Sequence, residues 1–130
     1  MRQSRRWTAR LAVLAGAGLT AALVAVPAQA AGGIIQKGDS GAAVRCVQRG
    51  VNIVQSPDVA VDGQFGNNTL NAVARFQKAE RITVDGKVGP VTGRHMLTEV
   101  QRIRTVDIRS GGDGRFYTNW LNDCTRYIPN

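Results

Sequence analysis

One short motif occurs twice. Val61-Asp62-Gly63-Gln64-Phe65-Gly66-Asn67-Asn68-Thr69 returns 23 residues later as Val84-Asp85-Gly86-Lys87-Val88-Gly89-Pro90-Val91-Thr92, on the shared pattern V-D-G-x-apolar-G-x-x-T. Asp-Gly is a turn signal, because glycine takes the positive φ that other residues resist. The apolar residue that follows, Phe65 or Val88, is expected to point inward as an anchor. The second glycine is expected to open a helix. Pro90 fixes the register, since proline is favoured at the first helical position, where no intrahelical bond is lost. Gly89 is then the N-cap, and by the repeat so is Gly66. Thr69 and Thr92 fall in the first turn, where a hydroxyl can satisfy a free amide.

The helices follow from these anchors. After Gly66, residues 67–80 carry Leu70, Ala72, Val73, Phe76 and Ala79 on one apolar arc, with Arg75 and Lys78 on the other side. After Gly89, residues 90–104 place Met96, Leu97, Val100 and Ile103 at helical spacing. An earlier helix is expected to start at Ser40, a good N-cap, with Val44, Val47 and Val51 as its buried stripe. Asn52 to Ala60 reads as a loop, and Arg81 to Val84 as a short extended link. Beyond residue 104, Thr105 to Ile108 alternates and Ser110 to Gly114 is a flexible turn. Phe116, Tyr117, Trp120, Leu121, Tyr127 and Ile128 then make an aromatic-rich docking segment, with one helical turn expected around Thr118 to Asp123. The expected fold is all-α: a small three-helix bundle over residues 36–104, with an irregular tail, 105–130, docked on it.

The first 30 residues read differently. Arg2, Arg5, Arg6 and Arg10 precede an apolar run from Leu11 to Val26, which ends in Pro27-Ala28-Gln29-Ala30. That is the layout of a cleavable signal peptide, with cleavage expected before Ala31. The run is shorter than the roughly 20 residues that span a bilayer, which argues against an anchor and against a membrane association after cleavage. Arg5-Arg6 raises the twin-arginine route, but no large apolar pair follows them, so general secretion is the expectation. Residues 31–35 would be a flexible mature N-terminus. The whole chain carries a net charge of +8, and without the four leader arginines about +4 remains. No basic run interleaved with aromatics appears, so nucleic acid is not an expected partner. A chain of this size forms one domain, expected to be monomeric.

Cys46 and Cys124 both lie beyond the leader. Export supplies an oxidising compartment, where two cysteines favour one bridge. Closing so long a loop is worth about 4.5 kcal/mol in the chain-entropy treatment. Two buried free thiols are the alternative. A metal site from Cys46, Cys124 and the lone His95 lacks paired-ligand spacing. At 100° per residue Cys46 lies about 200° from Val44, so a tail carrying Cys124 would cross the outer face of the first helix.

These residues resemble a known family. Lys37-Gly38-Asp39-Ser40-Gly41-Ala42-Ala43-Val44-Arg45-Cys46-Val47-Gln48 is similar to the G-x-x-G-x-x-V-x-x-L-Q opening of the peptidoglycan-binding-like domain, with Val47 where a larger aliphatic residue often stands. Asp62 to Thr69, followed by Ala72-Val73 and Phe76-Gln77, resembles its D-G-x-F-G-x-x-T…A-V…F-Q core. Asp85 to Thr92 resembles its closing D-G-x-V-G-x-x-T. The likeness spans about residues 36–97. It implies a three-helix bundle that holds a protein against peptidoglycan, usually beside a catalytic domain; here an aromatic tail follows instead.

Peptidoglycan presents sugars and short peptides with free carboxylates, and helix N-termini carry free amides and partial positive charge. The candidate ligand-binding residues are therefore Gly66, Asn67 and Asn68 at one helix start, and Lys87, Gly89 and Thr92 at the other. Either the stem peptide or the glycan would be the ligand. The competing role for Asp62, Gly63, Asp85 and Gly86 is turn formation, and for Phe65, Phe76 and Val88 core packing. Gln77 is expected to be buried and to tie a loop backbone. Arg45 and Arg49 read as a solvated helix face. An enzyme would need a zinc triad, a Cys–His pair or converging carboxylates. One histidine and two bridged cysteines do not provide these, so neither catalysis nor a cofactor is expected. A secreted interaction or inhibitor protein is the alternative, if the aromatic tail is exposed.

Overall fold

A computed structural model describes residues 33–130, so the expected export signal lies outside the described residues. Among the described residues four helices follow one another: α1 Ala42–Val54, α2 Asn67–Ala79, α3 Pro90–Arg109 and α4 Arg115–Cys124. α1 is the hub and packs against each of the other three, while α3 and α4 also pack together. The three valines of the α1 stripe, with Val73, Phe76, Met96 and Val100, form the core. No helix among the described residues is long and apolar enough to cross a membrane.

Pro90 opens α3, with Gly89 as N-cap, and Gly66 caps α2 as the repeat requires. The third N-cap differs from expectation. Gly41, not Ser40, caps α1, because Ser40 is drawn into an antiparallel bridge with Gln64. Residues 35–41 run across both turns of the repeat. Phe65 N–H donates to Asp39 O (2.9 Å) and Val88 N–H to Ile35 O (2.8 Å), so the two anchors hang from one extended segment. Ile35 is buried by this pairing, so ordered structure begins inside the segment expected to be a flexible N-terminus.

Two further segments are more regular than the sequence pattern suggests. α3 continues past residue 104 to Arg109, because Thr105 to Ile108 is a helical turn and not an alternating strand. It ends where Gly111 and Gly112 turn their amides back onto the carbonyls of Ile108 and Asp107, a Schellman closure. α2 closes the same way with Arg81 at φ 56°, so the expected extended link begins with a left-handed residue.

The tail is not irregular. Residues 115–124 form the ten-residue α4, which crosses the outer face of α1 and carries the disulfide Cys46–Cys124, Cα atoms 5.4 Å apart. The helix is fixed by long-range contacts. Trp120 is fully buried and its indole N–H donates to Cys46 O at 3.1 Å. Gly50 makes room for it: a Cβ there would stand 2.8 Å from the indole and 2.6 Å from Met96 Sδ. Beyond α4, Ile128 and Pro129 are buried over the start of α3, where a Cβ on Gly93 would collide with the Pro129 carbonyl.

Candidate functional site: two clefts related by the repeat

Each turn is built around a buried glutamine from the preceding helix. Gln48 of α1 donates through Nε2 to Asp62 Oδ1 (2.8 Å), Gln64 O (3.1 Å) and Thr69 Oγ1 (3.1 Å), and accepts from Gly63 N–H (2.9 Å). Gln77 of α2 donates to Asp85 Oδ1 (2.8 Å), Lys87 O (2.8 Å) and Thr92 Oγ1 (3.0 Å). It accepts from two backbone amides, those of Asp85 (3.0 Å) and Gly86 (2.9 Å). Each amide thus gathers the side chain, backbone and helix start of one unit at a single point. Both glutamines are almost wholly buried, so these partners replace water. Gln77 does what the sequence suggests. Gln48 is its unrecognised counterpart; the echo of Val47-Gln48 in Phe76-Gln77 is the signal that could have found it.

The aspartates close the turns. Asp62 Oδ1 accepts from Gln64 N–H at 2.8 Å and Asp85 Oδ1 from Lys87 N–H at 2.9 Å. Both carboxyls sit below the usual carboxylate range. For Asp62 the Gln64 backbone amide is the main cause, with the Gln48 amide next. For Asp85 burial is the largest influence and pushes upward, but the Lys87 amide, the Gln77 amide and the Lys87 charge outweigh it. Gly63 and Gly86, at φ 75° and 70°, supply the left-handed step each turn needs. Thr69 and Thr92 do not cap their helices: neither α2 nor α3 has a side-chain cap bond, and both hydroxyls accept from the glutamines instead.

Beside each helix start lies an open cleft. The first, about 190 Å³, is lined by Gln48, Val59, Ala60, Asp62, Gln64, Gly66, Asn67, Asn68 and Thr69. The second, about 290 Å³, is lined by Ile82, Thr83, Asp85, Lys87, Gly89, Pro90, Val91 and Thr92. Every residue lining the second is the partner, 23 positions on, of one lining the first. The six candidate ligand-binding residues therefore fall into two groups: Gly66, Asn67 and Asn68 in the first cleft, and Lys87, Gly89 and Thr92 in the second. Thr92 is buried with its hydroxyl engaged by Gln77, so it forms the floor.

The remaining sequence candidates have structural partners. Phe65, Phe76 and Val88 are core. Arg45 lies over the first turn, within 3.2 Å of where a Gly63 Cβ would stand. Arg49 is 3.9 Å from Asp123 on α4. His95 Nδ1 is 2.9 Å from Glu80 Oε2, at a third and smaller hollow. No group of three metal-ligating side chains occurs among the described residues.

Comparison with known proteins gives a family match over part of the chain. Residues 40–96 match the family described as "Putative peptidoglycan binding domain". Among curated relatives, the zinc D-Ala-D-Ala carboxypeptidase of Streptomyces albus G is 42% identical over 64 residues, which are 46% of this chain and 24% of that enzyme. The N-acetylmuramoyl-L-alanine amidase CwlL of Bacillus licheniformis is 38% identical over 63 residues, 47% of this chain and 18% of the enzyme. The chain thus spans a quarter or less of the length of these two enzymes. An uncharacterized protein from the bpoA1 3' region of Kitasatospora aureofaciens is 37% identical over 89 residues, covering 60% of this chain and 75% of that one. Among solved structures, a peptidoglycan-binding protein from Clostridioides difficile, in complex with glutamine hydroxamate, shares 35% identity at a TM-score of 0.48, over 51% of this chain and 41% of that one.

Proposed function

We propose that the chain, whose residues 40–96 match the peptidoglycan-binding domain family, is a secreted, noncatalytic module that binds bacterial cell-wall peptidoglycan through its two clefts. The observation that carries the reading is the duplicated cleft. The core, the turn aspartates and the glutamines are all committed to holding it open, while Asn67 and Asn68 on its wall remain exposed. Their side-chain amides offer donors and acceptors of the kind that N-acetyl and peptide groups need. Export fits the residues of the leader and the oxidised state of Cys46 and Cys124.

The test is cosedimentation of the purified protein with insoluble peptidoglycan. The wild-type protein is expected in the pellet, and Asn67→Ala/Asn68→Ala, with its circular dichroism unchanged, in larger part in the supernatant. Equal pelleting of the two proteins removes the first cleft from the reading. Release of soluble muropeptides removes the noncatalytic part. Sequencing the N-terminus of protein from the culture medium should read Ala31 first; a chain still starting at Met1 removes the signal peptide.

A second reading, a secreted protein that binds or inhibits another protein, draws on Phe116. This ring is 65% exposed at the α3–α4 corner and touches only the edge of Tyr117 among the aromatic rings described. A protein that stays soluble with peptidoglycan, yet is recovered with a defined protein partner that Phe116→Ala loses, would favour it.

A further inference from the structure

The two clefts share a frame but not a lining. Where the first presents Asn67 and Asn68, the second presents Pro90 and Val91. The exchange removes one backbone N–H and two side-chain amides, and puts two apolar surfaces in their place. Ile82 replaces Val59 on the same wall, and Lys87 replaces Gln64, adding the one cation among the residues that line either cleft. Exposed apolar residues gather here as well. Val91 is 56% exposed, and Ile34, 54% exposed, reaches to 3.9 Å of where a Gly89 Cβ would stand. A monomer has no reason of stability to leave both in water beside a lysine.

We propose that the clefts divide the ligand: the first takes neutral amide groups, and the second takes a short aliphatic peptide end that carries a free carboxylate. The inference rests on the peptidoglycan reading and names which part of the polymer each cleft holds. The small alkyl side chain would lie against Val91 and Ile82, with the carboxylate toward the Lys87 ammonium. Each cleft carries one turn aspartate, Asp62 or Asp85, held by the same pair of contacts, so the aspartates do not distinguish the clefts and the Lys87 charge does. The first cleft has no cation in its lining to offset its aspartate, so a ligand carboxylate is disfavoured there and a neutral acetamido group is not. Two different weak subsites on one rigid frame raise the hold on a polymer through effective concentration, with no single tight contact.

The experiment is a titration followed by amide chemical shifts, with three probes: N-acetyl-D-alanyl-D-alanine, the same dipeptide as its C-terminal amide, and an N-acetylglucosamine oligomer. The free acid is expected to move the amides of Thr83, Lys87 and Val91, and the oligomer those of Gln64, Asn67 and Asn68. Amidation of the dipeptide, or Lys87→Met, should weaken the first effect about tenfold, as loss of a charge-assisted bond would. Val91→Asn should weaken it while the folded spectrum stays intact. Equal response to the acid and the amide, or acid-induced shifts confined to the first cleft, overturns the division. If cosedimentation with peptidoglycan persists in that case, only the division fails; if it is lost in the wild-type protein too, the binding reading itself fails.

Discussion

The first and second turn units use one design at two degrees of commitment. In both, a glutamine from the helix before reaches the aspartate, the backbone and the threonine of the helix after. The first glutamine accepts one backbone amide and the second accepts two. The first unit leaves polar side chains at its cleft and the second leaves apolar ones and a lysine. Structure-forming positions are therefore repeated, including the aspartate, glycine and threonine that line both clefts, and the remaining lining positions are not. Duplication supplies the frame, and divergence at the exposed positions is what gives the two clefts separate chemistry.

The sharpest way to break this comparison is to remove the glutamines. Gln77→Ala leaves the buried Gly86 amide and the half-buried Asp85 amide without a partner, while Gln48→Ala leaves only the Gly63 amide. At about 1–3 kcal/mol for each stranded donor, less where water can enter, the expected losses are about 3 kcal/mol for Gln77→Ala and about 2 for Gln48→Ala. Urea denaturation measures both. Equal losses would mean that the second accepted bond contributes nothing.

The turn glycines sharpen it next. Alanine at either is strained by the positive φ, at a cost of about 1 kcal/mol. A Cβ at position 63 meets the side chain of Arg45, which is exposed and can swing away. A Cβ at position 86 meets Leu70 Cγ at 2.9 Å, and Leu70 is packed against the core. Gly86→Ala is therefore expected to cost about 2 kcal/mol and Gly63→Ala about 1, the excess being the displacement of a packed side chain. Thermal unfolding of the two variants, compared at one pH, checks the order.

How far the sequence carried this comparison depends on the range of the interactions. The repeat, the two glycine N-caps, the inward anchors and the role of Gln77 were legible because each is set by residues a few positions apart. The α4 helix was not. Its residues Arg115 to Asp123 include Phe, Tyr, Thr, Asn and Trp, none a strong helix former. What fixes it is the contact of Trp120 with Cys46, 74 residues away, and a disulfide spanning 78. The end of α3 departs from the sequence expectation for a related reason: four alternating residues satisfy a strand pattern and a helix equally, and the closing carbonyl contacts of Gly111 and Gly112 decide it. At the site, the sequence assigns the candidate residues to two helix starts because each lies within one copy of the repeat, but the clefts beside those starts, with Val59 and Ala60 or Ile82 and Thr83 on their walls, follow from the packing of the preceding loops.

Exchanging the linings tests whether the frame is indifferent to them. Asn67→Pro with Asn68→Val gives the first helix start the lining of the second. Proline at the first helical position loses no intrahelical bond, so stability should change by less than about 0.5 kcal/mol. Cosedimentation with peptidoglycan should weaken about fivefold, the worth of roughly one lost hydrogen bond. Wild-type pelleting at unchanged stability would mean that the first cleft does not read its ligand through these amides.

The smallest effect expected is the dependence on pH, and it separates the units by cause. Asp62 and Asp85 both titrate lower in the folded protein than in the unfolded chain, where an aspartate titrates near about 3.9. A lowered carboxyl adds stability that is present in full above the unfolded value and disappears as the pH falls through the folded one. The denaturation midpoint should therefore be flat down to about pH 5 and fall below about pH 4. Asp62→Asn and Asp85→Asn, which keep a side-chain carbonyl to accept from Gln64 and Lys87, should each flatten part of that fall. The charge beside each aspartate then tells them apart. Lys87 helps hold Asp85 down and Arg45 helps hold Asp62. Lys87→Met should reduce the acid-side fall in the wild-type background but not in Asp85→Asn. Arg45→Met should show the mirror pattern with Asp62→Asn. A Lys87→Met effect that survives in Asp85→Asn would show the lysine acting through another group, and the two units would no longer be electrostatically independent.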